Sequence, residues 1–166
     1  MQIDVRRFFE IVGEKEEFEF SLDLSQTEIW GHAPISAPVL IKGCVQNRSS
    51  IVTLAYNASA PIHTFCDRCL AEFDRELAFS FEYTLVKELQ DEEQEGYILV
   101  EGDFLDLEEL CTSDVILNLP LKFLCKDDCK GLCTVCGCNL NHSQCDCLKQ
   151  EIDPRLAALK GLLDNK

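Results

Sequence analysis

Seven of the chain's eleven cysteines fall between Leu124 and Cys147, in the run LCKDDCKGLCTVCGCNLNHSQCDC. They are Cys125, Cys129, Cys133, Cys136, Cys138, Cys145 and Cys147. An ordinary apolar core has no use for thiols at this density. Thiols separated by two or three residues on tight turns converge on one point, and a divalent metal sits well there. The step Cys133-Thr134-Val135-Cys136-Gly137 carries the strongest signal. Its two sulfurs wrap one ion, and the glycine permits the positive φ of a knuckle while leaving room for backbone amides to approach the thiolates. Cys145-Asp146-Cys147 can close the site from the other side. Four thiolates form a closed tetrahedral shell with no open coordination position, which describes a structural zinc and not a catalytic one.

A disulfide framework is the competing reading of such a count, and an iron–sulfur cluster is another, since thiolates serve both ions. Reduced core cysteines do not explain the spacing. The first residues, MQIDVRRFFEIVGEKEEFEF, hold no apolar run long enough for a signal peptide, and no stretch approaches the length of a membrane span. The expected location is therefore the cytoplasm, where thiols stay reduced and metal is favoured over disulfides.

Eight cysteines fall into pairs: Cys66/Cys69, Cys125/Cys129, Cys133/Cys136 and Cys145/Cys147. Two sites of four thiolates would use all of them. The local set is Cys133, Cys136, Cys145 and Cys147. The second set joins Cys66 and Cys69 to Cys125 and Cys129, which requires tertiary proximity. One or two structural zinc ions are expected on this basis. Cys138 is left over, either substituting in the local site or standing as a free thiol open to oxidation. His142 is within range as a ligand, although the surplus of thiols favours a solvated side chain. Cys44 and Cys111 read as small core residues. The Cys66–Cys69 pair also admits a redox-dithiol reading, but that chemistry is expected at a helix N-terminus, and this pair lies at a turn between strands.

The net charge is −15 and is unevenly placed: residues 1–119 carry 8 Lys/Arg against 24 Asp/Glu, and residues 120–166 carry 7 against 6. An acidic surface repels phosphate, so non-specific nucleic-acid binding by the bulk of the chain is disfavoured. Lys122, Lys126, Lys130 and Lys149 form the clustered basic candidates, with solvated surface lysines as the plainer reading.

The rest of the chain predicts an α+β fold. A short helix is expected over Asp4–Ile11. Phe18, Phe20, Leu22 and Leu24 alternate with polar residues, as do Val39, Ile41, Gly43 and Val45 and then Val52, Leu54 and Tyr56. The last two runs form a hairpin about a turn at residues 46–50. Ile62–Phe65 leads into the cysteine turn, and Phe73, Leu77, Phe79, Phe81, Tyr83 and Leu85 mark a long strand. Glu88–Glu95 is a charged loop, and Tyr97–Val100 can add a strand. Asp106 with Glu109 fits a capping box for a helix over 106–119 that Pro120 ends. Leu107, Leu110, Cys111 and Val115 share one face of it. The expectation is a β-rich domain over 1–120 with an antiparallel sheet, open or barrel-like, followed by a metal-binding segment over 121–166. That segment ends in a short helix from Asp153-Pro154, with Leu156, Leu159, Leu162 and Leu163 on its apolar stripe.

Several of these stretches together resemble the bacterial YceD-like family: Cys66-Asp67-Arg68-Cys69-Leu70, Asp114–Pro120 leading into Leu124-Cys125, CKGLCTVCGCNLN, Cys145-Asp146-Cys147 and IDPRLAALKGLL. The resemblance is strong from Cys66 onward. The cysteine-rich end is similar to the form found in Gram-positive members, in which the position of Cys138 is expected to hold another residue type. The resemblance implies a role in accumulation or processing of large-subunit (23S) ribosomal RNA, an association with a large-subunit ribosomal protein, and no enzymatic activity. The expected partner is a large-subunit precursor, met as ribosomal RNA or as a basic ribosomal protein, with no membrane. A thiol and zinc redox switch, or a protein-interaction adaptor unrelated to ribosomes, is the alternative. A metalloenzyme is disfavoured, because no phosphate-binding loop or catalytic triad order is present and Asp67 and Asp146 are ordinary acidic neighbours in turns.

Overall fold

The computed structural model describes residues 1–29, 31–88 and 95–149. The expected C-terminal helix lies outside the described residues, as do positions 89–94 of the charged loop. The elements in order are β1 (Gln2–Asp4), α1 (Arg6–Glu10), β2 (Lys15–Leu22), β3 (Val39–Arg48), β4 (Ile51–Phe65), β5 (Glu72–Val86), β6 (Tyr97–Leu99), β7 (Phe104–Asp106) and α2 (Leu107–Leu117), with a 3-10 turn at Asp146–Lys149.

Five strands form one mixed, mostly antiparallel sheet in the order β2-β3-β4-β5-β6, and β1 pairs with β7 in a second, two-stranded sheet. The larger sheet is open, ending on β2 and β6, and is not a barrel. The period-2 pattern explains its long strands. One face buries Phe18, Leu22, Val39, Ile41, Val45, Val52, Leu54, Tyr56, Ala58, Ala60 and Ile62, while the residues between them face outward. The β3–β4 hairpin turns on Ser49 and Ser50, at φ of 56° and 66°, the left-handed pair a two-residue turn demands. The turn is tighter than the expected 46–50, because the Asn47 side chain accepts from the Ser50 amide (3.0 Å) and donates to the Phe8 carbonyl (2.6 Å).

Two features depart from the expected single antiparallel sheet. β6 pairs with β5 in parallel, Thr84 opposite Tyr97 and Val86 opposite Leu99. β1 and β7 join segments about 100 residues apart, with Ile3 opposite Leu105. Both involve three-residue strands, too short to carry a detectable alternation. The face of β5 bearing Phe73, Leu77, Phe79, Phe81 and Tyr83 is half-buried, less enclosed than its apolar content implies.

Helix α2 begins as expected. The Asp106 carboxylate accepts from the amides of Glu108 (2.9 Å) and Glu109 (3.3 Å), and Leu107, Cys111 and Val115 are buried. The Tyr56 hydroxyl donates to the Asp114 carboxylate, and burial with that partner raises the phenol's pKa far above its usual value. No helix among the described residues is long and apolar enough to cross a membrane.

The chain divides into two compact units. The first comprises Met1–Thr64 and Phe73–Leu121; the second comprises Phe65–Glu72 and the segment from Lys122 onward. The turn between β4 and β5 thus groups with the cysteine-rich segment, a partition that a boundary read along the sequence does not express.

Candidate metal centres

All eight paired cysteines lie in the second unit, in two groups of four. The sulfurs of Cys66, Cys69, Cys125 and Cys129 lie within 4.8 Å of one another, and so do those of Cys133, Cys136, Cys145 and Cys147. In the first group Cys66 and Cys129 are 3.7 Å apart and Cys69 and Cys125 are 3.6 Å apart. A disulfide requires about 2.05 Å, and every cysteine here is free. A tetrahedron of sulfurs around an ion at about 2.3 Å has edges of about 3.8 Å. The observed separations fit that shell, so each group can hold a metal ion.

The first cage is built across two distant stretches. The chain turns at Cys66–Leu70, where the Leu70 amide donates to the Cys66 carbonyl and the Cys66 amide to the Ala71 carbonyl, both at 2.8 Å. Leu70 takes a φ of 57° to complete the turn. The two residues between the cysteines brace the other half of the cage. The Asp67 amide donates to the Phe123 carbonyl (2.8 Å), and the Asp67 carboxylate accepts from the Phe123 amide (2.6 Å). The Arg68 guanidinium donates to the Cys129 carbonyl (2.9 Å), and the Arg68 carbonyl accepts from the Leu132 amide (3.0 Å). Gly131 permits this approach: at φ 77°, a Cβ there would stand 3.0 Å from the Arg68 carbonyl oxygen.

The second cage grows from the same loop. The Leu132–Asn139 bridge, the Cys133 amide donating to the Cys138 carbonyl (2.8 Å) and the Gly137 amide donating to the Cys133 carbonyl (2.9 Å) close the knuckle. Gly137 takes a φ of 73° there. The Val135 amide points at the Cys133 sulfur from 3.4 Å. Asn141 ties the first cage to the loop that carries the second. Its side-chain amide donates to the Cys129 sulfur (3.3 Å) and to Asn139 Oδ1 (2.9 Å), while its own oxygen accepts from the Lys130 amide (2.9 Å).

These donors set which thiols ionise first. Burial opposes ionisation of Cys66, yet the amides of Cys125, Cys69 and Arg68 outweigh it and bring its pKa down to about 6. The amides of Cys136 and Val135 bring Cys133 down to about 6 as well. Burial, then the neighbouring sulfurs, pushes Cys125 up to about 12. The Cys136 sulfur, then burial, pushes Cys147 up to about 11. Each metal-free cage therefore carries part of its thiolate charge before an ion arrives.

Cys138 is half-buried and stands outside both groups, and the neighbouring Cys136 sulfur, then burial, pushes its thiol pKa up to about 12. His142 is exposed and belongs to neither group. Cys111 is fully buried, whereas Cys44 is only half-buried and sits on the outward face of β3. Lys122 and Lys130 are exposed, and Lys126 is 3.8 Å from Asp128. Asp67, Arg68, Gly131 and Asn141 support the cysteine groups and are residues that spacing alone does not reveal. Their place beside or between cysteines is the available signal.

The profile of the family described as Large ribosomal RNA subunit accumulation protein YceD matches residues 54–163. Among similar proteins, an uncharacterized protein of Mycobacterium leprae is 31% identical over 144 residues, covering 81% of this chain and 61% of its own. Uncharacterized protein YlbN of Bacillus subtilis is 26% identical over 154 residues, covering 90% of each. Large ribosomal RNA subunit accumulation protein YCED homolog 1, chloroplastic, of Arabidopsis thaliana is 34% identical over 58 residues, covering 35% of this chain and 18% of its own. The chain spans about three fifths of the length of the mycobacterial relatives it matches. No solved structure is significantly similar to it.

Proposed function

The chain belongs to the YceD family, and on that footing we propose that it is a non-catalytic, zinc-binding factor in large ribosomal subunit biogenesis, acting in accumulation or processing of 23S ribosomal RNA. The observation that carries this reading is the family match over residues 54–163, a span that includes all eight caged cysteines. Zinc is the assigned ion at both cages, because four thiolates at tetrahedral spacing suit it and leave no position for a reacting water. The ions hold the second unit in shape; they do not perform chemistry. This reading puts the work in the cytoplasm.

Charge selects how the large-subunit precursor is met. The chain is at −15, and each cage of four thiolates around a divalent ion adds two further negative charges. A surface of that sign repels ribosomal RNA and attracts a basic ribosomal protein. In cells lacking the gene, 23S RNA is expected to fall relative to 16S RNA. It should recover with the parent chain and not with a Cys66→Ser, Cys133→Ser variant. An unchanged ratio in the deletion contradicts the reading. Co-sedimentation with large-subunit precursors should weaken with salt, since charge attraction is screened, but less steeply than direct phosphate contact would.

A thiol switch is the second reading, favoured by the exposure of Cys136 and by the fifth sulfur of Cys138 beside it. Under mild peroxide a structural centre keeps its ion, whereas a switch loses it reversibly as the thiols oxidise.

A further inference from the structure

The outward face of the five-stranded sheet carries a shallow trough of about 550 Å³, floored by the side chains of Cys44 and Ala55 and the bare backbone of Gly43, and bordered by Glu17, Lys42, Asn57, Ser80 and Glu82. Glu17, Cys44 and Ala55 lie opposite one another across β2, β3 and β4, and Glu19, Lys42 and Asn57 form the neighbouring row. Ser80 on β5 continues the second row by donating to Asn57 Oδ1 (2.6 Å). The floor is made of small side chains where a solvent-facing sheet ordinarily carries long ones. The cations nearest the trough are already matched: Lys15 stands 2.6 Å from Glu17 and Lys42 stands 3.0 Å from Glu19. Glu76 and Asp74 on the same sheet accept from Ser59 and meet His63. The face is thus a low-walled channel with an excess of carboxylate.

We propose that this trough docks an extended, arginine- or lysine-rich polypeptide segment that crosses the strands between Glu17 and Glu82. Two strands separate β2 from β5, so the carboxylates stand about 14 Å apart across the sheet, the reach of four residues of extended chain. Basic residues at i and i+4 of the segment place their cations at the two carboxylates. The residue midway lies over Cys44 and Ala55, where only a small side chain leaves the backbone close to the floor. The stems of the basic side chains cover the apolar part of the floor while their heads stay at the wet rim. Lys15 and Lys42 are exposed partners in surface pairs that release their carboxylates at little cost. This deepens the preceding reading and rests on it only for the source of the segment, a basic ribosomal protein.

The test is an NMR titration of the full metal-loaded chain with a capped peptide carrying two arginines four residues apart and glycine midway. The same titration is run with a peptide of equal composition whose arginines are adjacent, and with a single-stranded RNA oligonucleotide. The expected result is shifts confined to β2–β5 around Cys44 and Ala55, and weaker binding of the adjacent-arginine peptide. Glu17→Gln with Glu82→Gln should lower affinity about tenfold, two exposed charge pairs being lost. Ala55→Leu, an outward strand position that accepts a larger side chain, should lower it comparably by filling the floor. Absence of binding, binding that both variants retain, or RNA producing the same shifts overturns the proposal. The 23S level in deletion cells judges the ribosomal reading separately. If the deletion lowers 23S RNA while the parent chain fails to bind the peptide, the trough assignment falls and that reading stands. If 23S RNA is unaffected while the peptide binds as described, the trough stands without its ribosomal source.

Discussion

Gly43 is the residue with least latitude in the sheet. A Cβ there would meet the Tyr56 Cβ at 2.4 Å, the Ala55 carbonyl oxygen at 2.5 Å and the Phe18 ring at 2.7 Å. The first two are fixed by the backbone of β4, and the Phe18 ring is held by its burial. Gly43→Ala is expected to destabilise the first unit by about 1–3 kcal/mol, the usual cost of forcing volume into a packed site. A denaturant midpoint unchanged from the parent would contradict it. In the second unit Asp67 has the corresponding place. Its carboxylate holds the Phe123 amide and so carries the Cys125–Cys129 stretch to the Cys66 turn. Asp67→Ala should weaken metal binding at the first cage by roughly 10–100-fold, as loss of supporting hydrogen bonds does. The second cage should keep its affinity; equal loss at both would sink this assignment. Sequence spacing names the sulfurs but passes over Asp67 as an ordinary acid in a turn, because its partner is a backbone amide 56 residues away.

At the scale of the element, the long strands were legible because alternation repeats many times along each, from Phe18 through Leu85. Of the three-residue strands, β6 was expected at Tyr97–Val100 but its parallel pairing was not, and β1 and β7 were not legible at all, since pairing at that length is decided by tertiary proximity. The cap of α2 was legible because its chemistry is local. Asp106→Ala should cost about 0.5–2 kcal/mol of stability through two freed amides, and Asp106→Asn much less, measured by thermal unfolding. For the cages, spacing proposes which cysteines pair, and the fold brings together the distant pairs of the first cage. Their ionisation gives a further outcome. Metal displaces thiol protons, so affinity falls as pH falls. With Cys66 and Cys133 brought down to about 6 and Cys125 and Cys147 pushed up to about 12 and 11, the metal-free cages are partly ionised near neutrality. Zinc loading in weak buffer near neutral pH should then release fewer than four protons per ion; a full four would contradict the amide arrangement.

At the scale of the whole molecule, the two units are held by different physics. The first buries a large apolar face of β-sheet. In the second, Phe123 is the one buried apolar side chain among the described residues that is not a cysteine. So small a core cannot offset the entropy of ordering the chain. Structural zinc contributes roughly 10–16 kcal/mol of apparent binding free energy in small modules, enough to supply what packing does not. Chelation under reducing conditions is expected to abolish ordered side-chain signals from the second unit while the sheet of the first persists. The most direct test of the account is the metal content of protein purified under reducing conditions. The account predicts two zinc ions per chain, falling to one in a Cys66→Ser, Cys69→Ser variant and to one in a Cys133→Ser, Cys136→Ser variant. A metal-free preparation whose second unit is nonetheless folded would contradict it.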